Sequence, residues 1–242
     1  MGKMMFNKGL SSLQSLIIVI GLLVLVVIVS PMVTLKSKEL RGRSKDKILA
    51  LIYFGALGVG FINVEIALMQ KFILLLGHPI YAFSVVLFSV LIFSGLGSRY
   101  TGRWSATSAA KTIKFPLAIL YAISILYLAV LGPVIYSLFH LPEIIRIILA
   151  VLMLAPLSFM MGMPLPLGIK YLSHNFEKMI PWAWAVNGSL SVLGSAFAFY
   201  FAIIQGFNFV IFLGSCFYVL ALIVSLFFVR SDDTLSKDES QT

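Results

Sequence analysis

Charge is scarce in this chain, and negative charge is scarcer still. Only 11% of the 242 residues are charged, with 9 Asp and Glu against 18 Lys and Arg. A soluble domain carries about a quarter. With 60% hydrophobic residues and a mean hydropathy of +1.05, the composition is that of a polytopic integral membrane protein. Cysteine is reduced to Cys216, inside the last apolar run. An intramolecular disulfide and a Cys-based metal site are thereby excluded. Also missing are a Walker loop, a GxGxxG after a strand, an HExxH and a CxxC. The glycines of GALGVG at 55–60 lie inside an apolar run, where they suit close helix packing and not a phosphate. Polar–apolar alternation is absent too, so a membrane β-barrel is not expected and the fold class is all-α. The net charge of +9 comes from basic residues in loops between apolar runs, the ordinary distribution in membrane proteins, and nucleic acid is not an expected partner.

What is present is a succession of apolar runs, each near the roughly 20 residues that cross a bilayer. A short polar segment, 1–12, precedes a first expected span over 13–35, and the basic stretch KSKELRGRSKDK follows at 36–47. The first run is longer than a signal-peptide core and lacks a small-residue cleavage pattern, so it reads as a transmembrane helix. Six further spans are expected at about 48–70, 80–96, 115–139, from 144 to the prolines near 164, 181–204 and 207–229. The chain is thus a polytopic bundle of about seven helices, one N-terminal helix plus a six-helix domain over 48–229. The polar tail 230–242 reads as disordered. Assigning the loops alternately to two sides places 14 Lys and Arg on one and 4 on the other. The basic side is the cytoplasmic one, with the N-terminus outside and the C-terminus inside. Trp104, Trp182 and Trp184 fall at expected interfaces on that same side.

The run from Tyr53 to Gly97 carries the residues of most functional interest. Glu65 is the only acid inside an apolar run, and a carboxylate at that depth costs about 3 kcal/mol or more unless paired or hydrated. It reads either as a proton, cation or substrate site or as a structural group bonded to a neighbouring helix. Gly58 shares its helical face, which lets a partner backbone come close. Asn63 and Gln70 share the opposite face and suit interhelical hydrogen bonds. Lys71 is placed to snorkel to the outer interface, and His78 lies in an outward-facing turn at His78-Pro79. Asn187 heads a stripe of small residues, Gly188, Ser191, Gly194, Ser195 and Ala198, that predicts tight helix contact. Binding candidates are therefore Glu65, Asn63, Gln70, His78 and Asn187. In MGMPLPLG at 161–168, Pro164 and Pro166 are expected helix breaks that leave carbonyls to be satisfied otherwise. No catalytic residue, metal ligand or cofactor is expected.

Three strings, YFGALGVGFINVEIALMQKFILLLGHPIYAFSVVLFSVLIFSGLGSR, MGMPLPLGIKYL and PWAWAVNGSLSVLGS, resemble the C-terminal membrane module of bacterial membrane-bound spermidine-synthase-like proteins. The likeness covers about 48–229. In that family the membrane helices flank a soluble domain with an S-adenosylmethionine methyltransferase-like fold, which has no counterpart here. The resemblance implies a non-catalytic module of the bacterial inner membrane that anchors or partners a synthase-like domain or subunit and handles a polyamine or another small organic cation. It is compatible with a stand-alone version, one half of a split pair or the tail of an interrupted frame. The alternative is a transporter half for a small solute or organic cation, which dimerises and holds Glu65 in a midplane site.

Overall fold

A computed structural model describes residues 11–26 and 44–239. It is all-α, with no strand among the described residues. The helices are α1 (Ser11–Val26), α2 (Ser44–Leu76), α3 (Pro79–Tyr100), the short α4 (Ala106–Thr112), α5 (Lys114–Ser137), α6 (Glu143–Met161), α7 (Pro164–Asn175), α8 (Ile180–Gln205) and α9 (Phe207–Glu239). Six stretches are long and apolar enough to cross a membrane, and α1 is a shorter apolar helix. These are helices compatible with an integral, multi-pass membrane protein. The first expected span begins in α1 and, from residue 27 on, lies outside the described residues. So do residues 1–10 and most of the basic stretch 36–47. The last helix continues to Glu239, into the segment that reads as a disordered tail; no glycine after Gly214 and no proline interrupts it.

The bundle is built around α2. About 61% of its central window is buried, against 44% or less in the other five spans. It packs along its length against α8 and α9, while α3 pairs with α6 and α5 lies on α9. Its core side, with Tyr53, Leu57, Val64, Leu68, Phe72 and Leu75, repeats at helical spacing. At 33 residues and about 1.5 Å of rise each, α2 is longer than the roughly 30 Å of a hydrocarbon core.

The turns are where the local sequence requires them. Gly77, at φ +77°, closes α2 in a left-handed conformation, and its N–H reaches Ile73 O at 2.9 Å. His78 is extended, as a residue before proline must be, and Pro79 occupies the first turn of α3, where a missing N–H costs nothing. Gly206, at φ +84°, makes the turn between α8 and α9. Ser105 caps α4 by accepting the Ser108 N–H at 3.3 Å.

The α3–α6 contact is a backbone-to-backbone crossing. A Cβ on Gly97 would collide with the Phe159 carbonyl, and one on Gly162 with the Ser94 carbonyl. Side-chain to carbonyl bonds lock the two ends of the bundle. Arg146, in the first turn of α6, donates from Nη1 to Leu75 O at 2.7 Å, over the C-terminal end of α2 where a cation is favoured. At the other end Lys170 of α7 donates to Thr101 O and Trp104 O at 2.7 and 2.8 Å, tying down the turn after α3.

Candidate functional site

The chain between α6 and α7 breaks at Gly162 and Met163. Pro164 and Pro166 are not the break itself: they occupy the first turn of α7, where proline is tolerated. Their effect falls on the carbonyls four residues back, those of Met160 and Gly162, which lose their helical donors. The Met160 carbonyl accepts instead from the Met163 N–H at 3.3 Å, while that of Gly162 accepts from no backbone donor among the described residues. The Pro164 carbonyl is held by the Tyr53 hydroxyl, fully buried on α2, at 2.8 Å. A further proline lies within α6. Pro156 deprives the Leu152 carbonyl of its donor, and the Tyr127 hydroxyl reaches in from α5 to donate to the adjacent Met153 carbonyl.

A cavity of about 350 Å³ opens beside the break. Gly58 and Phe61 of α2 form one wall and Ser94, Gly95 and Ser98 of α3 another. Gly162, Leu165 and Pro166 contribute the break itself, and Asn187, Ser191 and the Tyr218 ring complete the lining. Gly58 is needed there: a Cβ would strike the Asn187 carbonyl and lie 2.7 Å from Ser191 Oγ. Asn187 donates from Nδ2 to Phe54 O at 2.9 Å, and Ser191 donates to Asn187 O at 2.8 Å, so both are bonded to the scaffold while facing the cavity. A larger cavity of about 510 Å³, between α2, α8 and α9, is walled by aliphatic and Phe side chains with glycines, and suits acyl chains instead.

Of the five binding candidates read from the sequence, Asn187 alone lines the polar cavity. Glu65 is 8% exposed on the same face of α2 as Gly58 and Phe61, one turn beyond the wall. It has no hydrogen-bond or ion-pair partner among the described residues. Tyr218 is 1% exposed, and its hydroxyl has no hydrogen-bond partner among the described residues. Asn63 faces away from the cavity, toward α8 and α9. Its Nδ2 donates to Val59 O at 2.8 Å and reaches toward Gly194 O at 3.5 Å, and its Oδ1 has no partner among the described residues. Gln70 is half-buried one to two turns farther along α2, and His78 is exposed at that end, edge-on to Tyr81. The structure therefore places Asn187 in the cavity wall and Glu65 one turn beyond Phe61 of that wall, and leaves Asn63, Gln70 and His78 apart from it.

Tyr218, Tyr53, Lys170 and Arg146 were not singled out from sequence. The roles of Tyr53, Lys170 and Arg146 depend on carbonyls supplied from far away in the chain, and a tyrosine or a loop cation carries no local mark of that. Among the described residues, no three His, Cys, Asp or Glu side chains are grouped as a metal site would need. Chemically, the arrangement offers an uncharged, partly polar pocket inside an apolar bundle. Against protein-family models, curated proteins and solved structures, the chain finds no match.

Proposed function

We propose that this chain is a non-catalytic membrane module that holds a small solute in the cavity at the α6–α7 break and that anchors or partners a synthase-like soluble protein in a bacterial inner membrane. The observation that carries the solute-holding part is the cavity itself. Its size is at the lower end of ligand pockets, roughly 300–1,000 Å³, and its wall includes a helix break whose Gly162 carbonyl has no backbone donor among the described residues. Irregular backbone at membrane depth is tolerated where it lines a cavity. The partnership rests on the resemblance over 48–229. Its test is a mild-detergent pull-down of the tagged chain from its native membrane, followed by mass spectrometry. A synthase-like protein recovered in near-equal amount is the expected result; recovery of the chain alone, as a stable dimer, removes the partner.

One observation favours a second reading, a dimerising transporter half for a small solute or organic cation. Glu65, buried without a partner among the described residues, lies one turn beyond the Phe61 wall of the cavity. Intramembrane acids at such places commonly serve ion or substrate pathways. Proteoliposomes made with wild type and Glu65→Gln test it: equal uptake by the two takes Glu65 out of any transport step.

A further inference from the structure

We infer that the cavity at the α6–α7 break takes an uncharged amphiphile carrying a hydroxyl group, and not an ammonium or a carboxylate. The inference rests on the reading of this cavity as solute-holding, and it is independent of the synthase-like partner. None of the side chains lining the cavity is acidic or basic. A charged ligand would have to leave water with no counter-charge in contact, which costs several kcal/mol even after relaxation. The residues that line it carry both acceptors and donors. On the accepting side are the Gly162 carbonyl, without a backbone donor, and the oxygens of Ser94 and Ser191, whose own protons go to Leu91 O and Asn187 O. On the donating side are the second amide proton of Asn187 and the Leu165 N–H at the start of α7, which has no backbone acceptor among the described residues. A hydroxyl matches both kinds at once. The rest of the wall, including Leu57, Phe61, Leu91 and Leu165, is apolar and suits a hydrocarbon stem.

Gly95 supplies the control. It lines the cavity, and a Cβ built on it meets nothing within 4 Å. Gly95→Leu therefore adds a side chain at the cavity wall whose Cβ meets no neighbouring atom, and it improves helix propensity. The experiment is photolabelling of the purified chain in nanodiscs with 3-azioctanol, its methyl ether and the corresponding amine, with adducts mapped by peptide mass spectrometry. We expect saturable labelling by the alcohol on peptides containing 158–167 and 187–191, competed by unlabelled octanol and lost in Gly95→Leu. The ether, which accepts but cannot donate, is expected to label about fivefold less, the value of roughly one hydrogen bond. For the amine, present as an ammonium, the expected loss is at least about tenfold. An amine that labels as well as the alcohol, and is blocked by Gly95→Leu, overturns the uncharged class while leaving the cavity as a binding site. An ether equal to the alcohol overturns the hydroxyl. Labelling that is unsaturable, or indifferent to Gly95→Leu, for all three probes removes the cavity reading and this inference with it.

Discussion

Glu65 and Tyr53 are both buried polar side chains of α2, yet their surroundings assign them opposite effects on stability. Tyr53 gives its proton to a carbonyl at the helix break. Tyr53→Phe should lower stability by about 1 kcal/mol, the net value of a typical buried hydrogen bond, as read from SDS-induced unfolding in mixed micelles. Glu65 has no such partner among the described residues, and a buried group left unsatisfied costs about 1–3 kcal/mol, more if charged. Glu65→Met keeps the volume and removes that cost, so the same assay should show it more stable than wild type. A Glu65→Met protein that is less stable would mean that the carboxyl is bonded in the membrane-embedded fold, and would return Glu65 to a structural role. Residues kept against stability are candidates for function, so a gain here strengthens the case for Glu65 near the cavity.

At the scale of helices, the α3–α6 crossing distinguishes two glycines only two residues apart. Gly97 faces the Phe159 backbone and Gly95 faces open space. Gly97→Val should push the helices apart and cost about 1–3 kcal/mol, as overpacking does, whereas Gly95→Val should be neutral or mildly stabilising. Thermal denaturation followed by circular dichroism reads the difference. The helix-end clamp predicts a different phenotype. Lys170→Met frees the Thr101 and Trp104 carbonyls, so trypsin should cleave after Arg103 faster than in wild type, at a site away from the substituted one. Most of this architecture is legible from hydropathy and turn chemistry: the span at 181–204 matches α8, and His78-Pro79 is a turn as read. The break is less legible. Two prolines locate it to within a turn, but because proline fits the first turn of a helix, the irregular residues are Gly162 and Met163 just before them. What could not be read is which loop cation or tyrosine reaches which carbonyl, since Arg146–Leu75 and Tyr53–Pro164 join positions 71 and 111 residues apart. Asn187 reaches the cavity because α8 packs along α2 with Asn187 against Gly58, while Asn63, farther along the same helix, is directed to the α8–α9 contact. Composition alone does not distinguish those two positions.

For the molecule as a whole, the clamps sort the loops into two sets that agree with the count of basic residues. Arg146 of α6 bonds the end of α2, so the turn at 77–78 and the start of α6 lie at one end of the bundle. Lys170 bonds Thr101 and Trp104, so the α3–α4 turn and α7 lie at the other. The second end is the one whose loops hold most of the Lys and Arg. Bilayer insertion with that end in the cytoplasm puts His78 outside and Gly102 inside. Both positions are exposed, and a side chain at Gly102 would meet nothing. In a Cys216→Ala background, His78→Cys should react with a membrane-impermeant maleimide on intact spheroplasts, and Gly102→Cys only after permeabilisation. The reverse pattern would invert the bundle. The helix break would then lie toward the outer half of the bilayer, away from any cytoplasmic synthase-like partner, and the transporter-half reading would become the stronger account of the cavity.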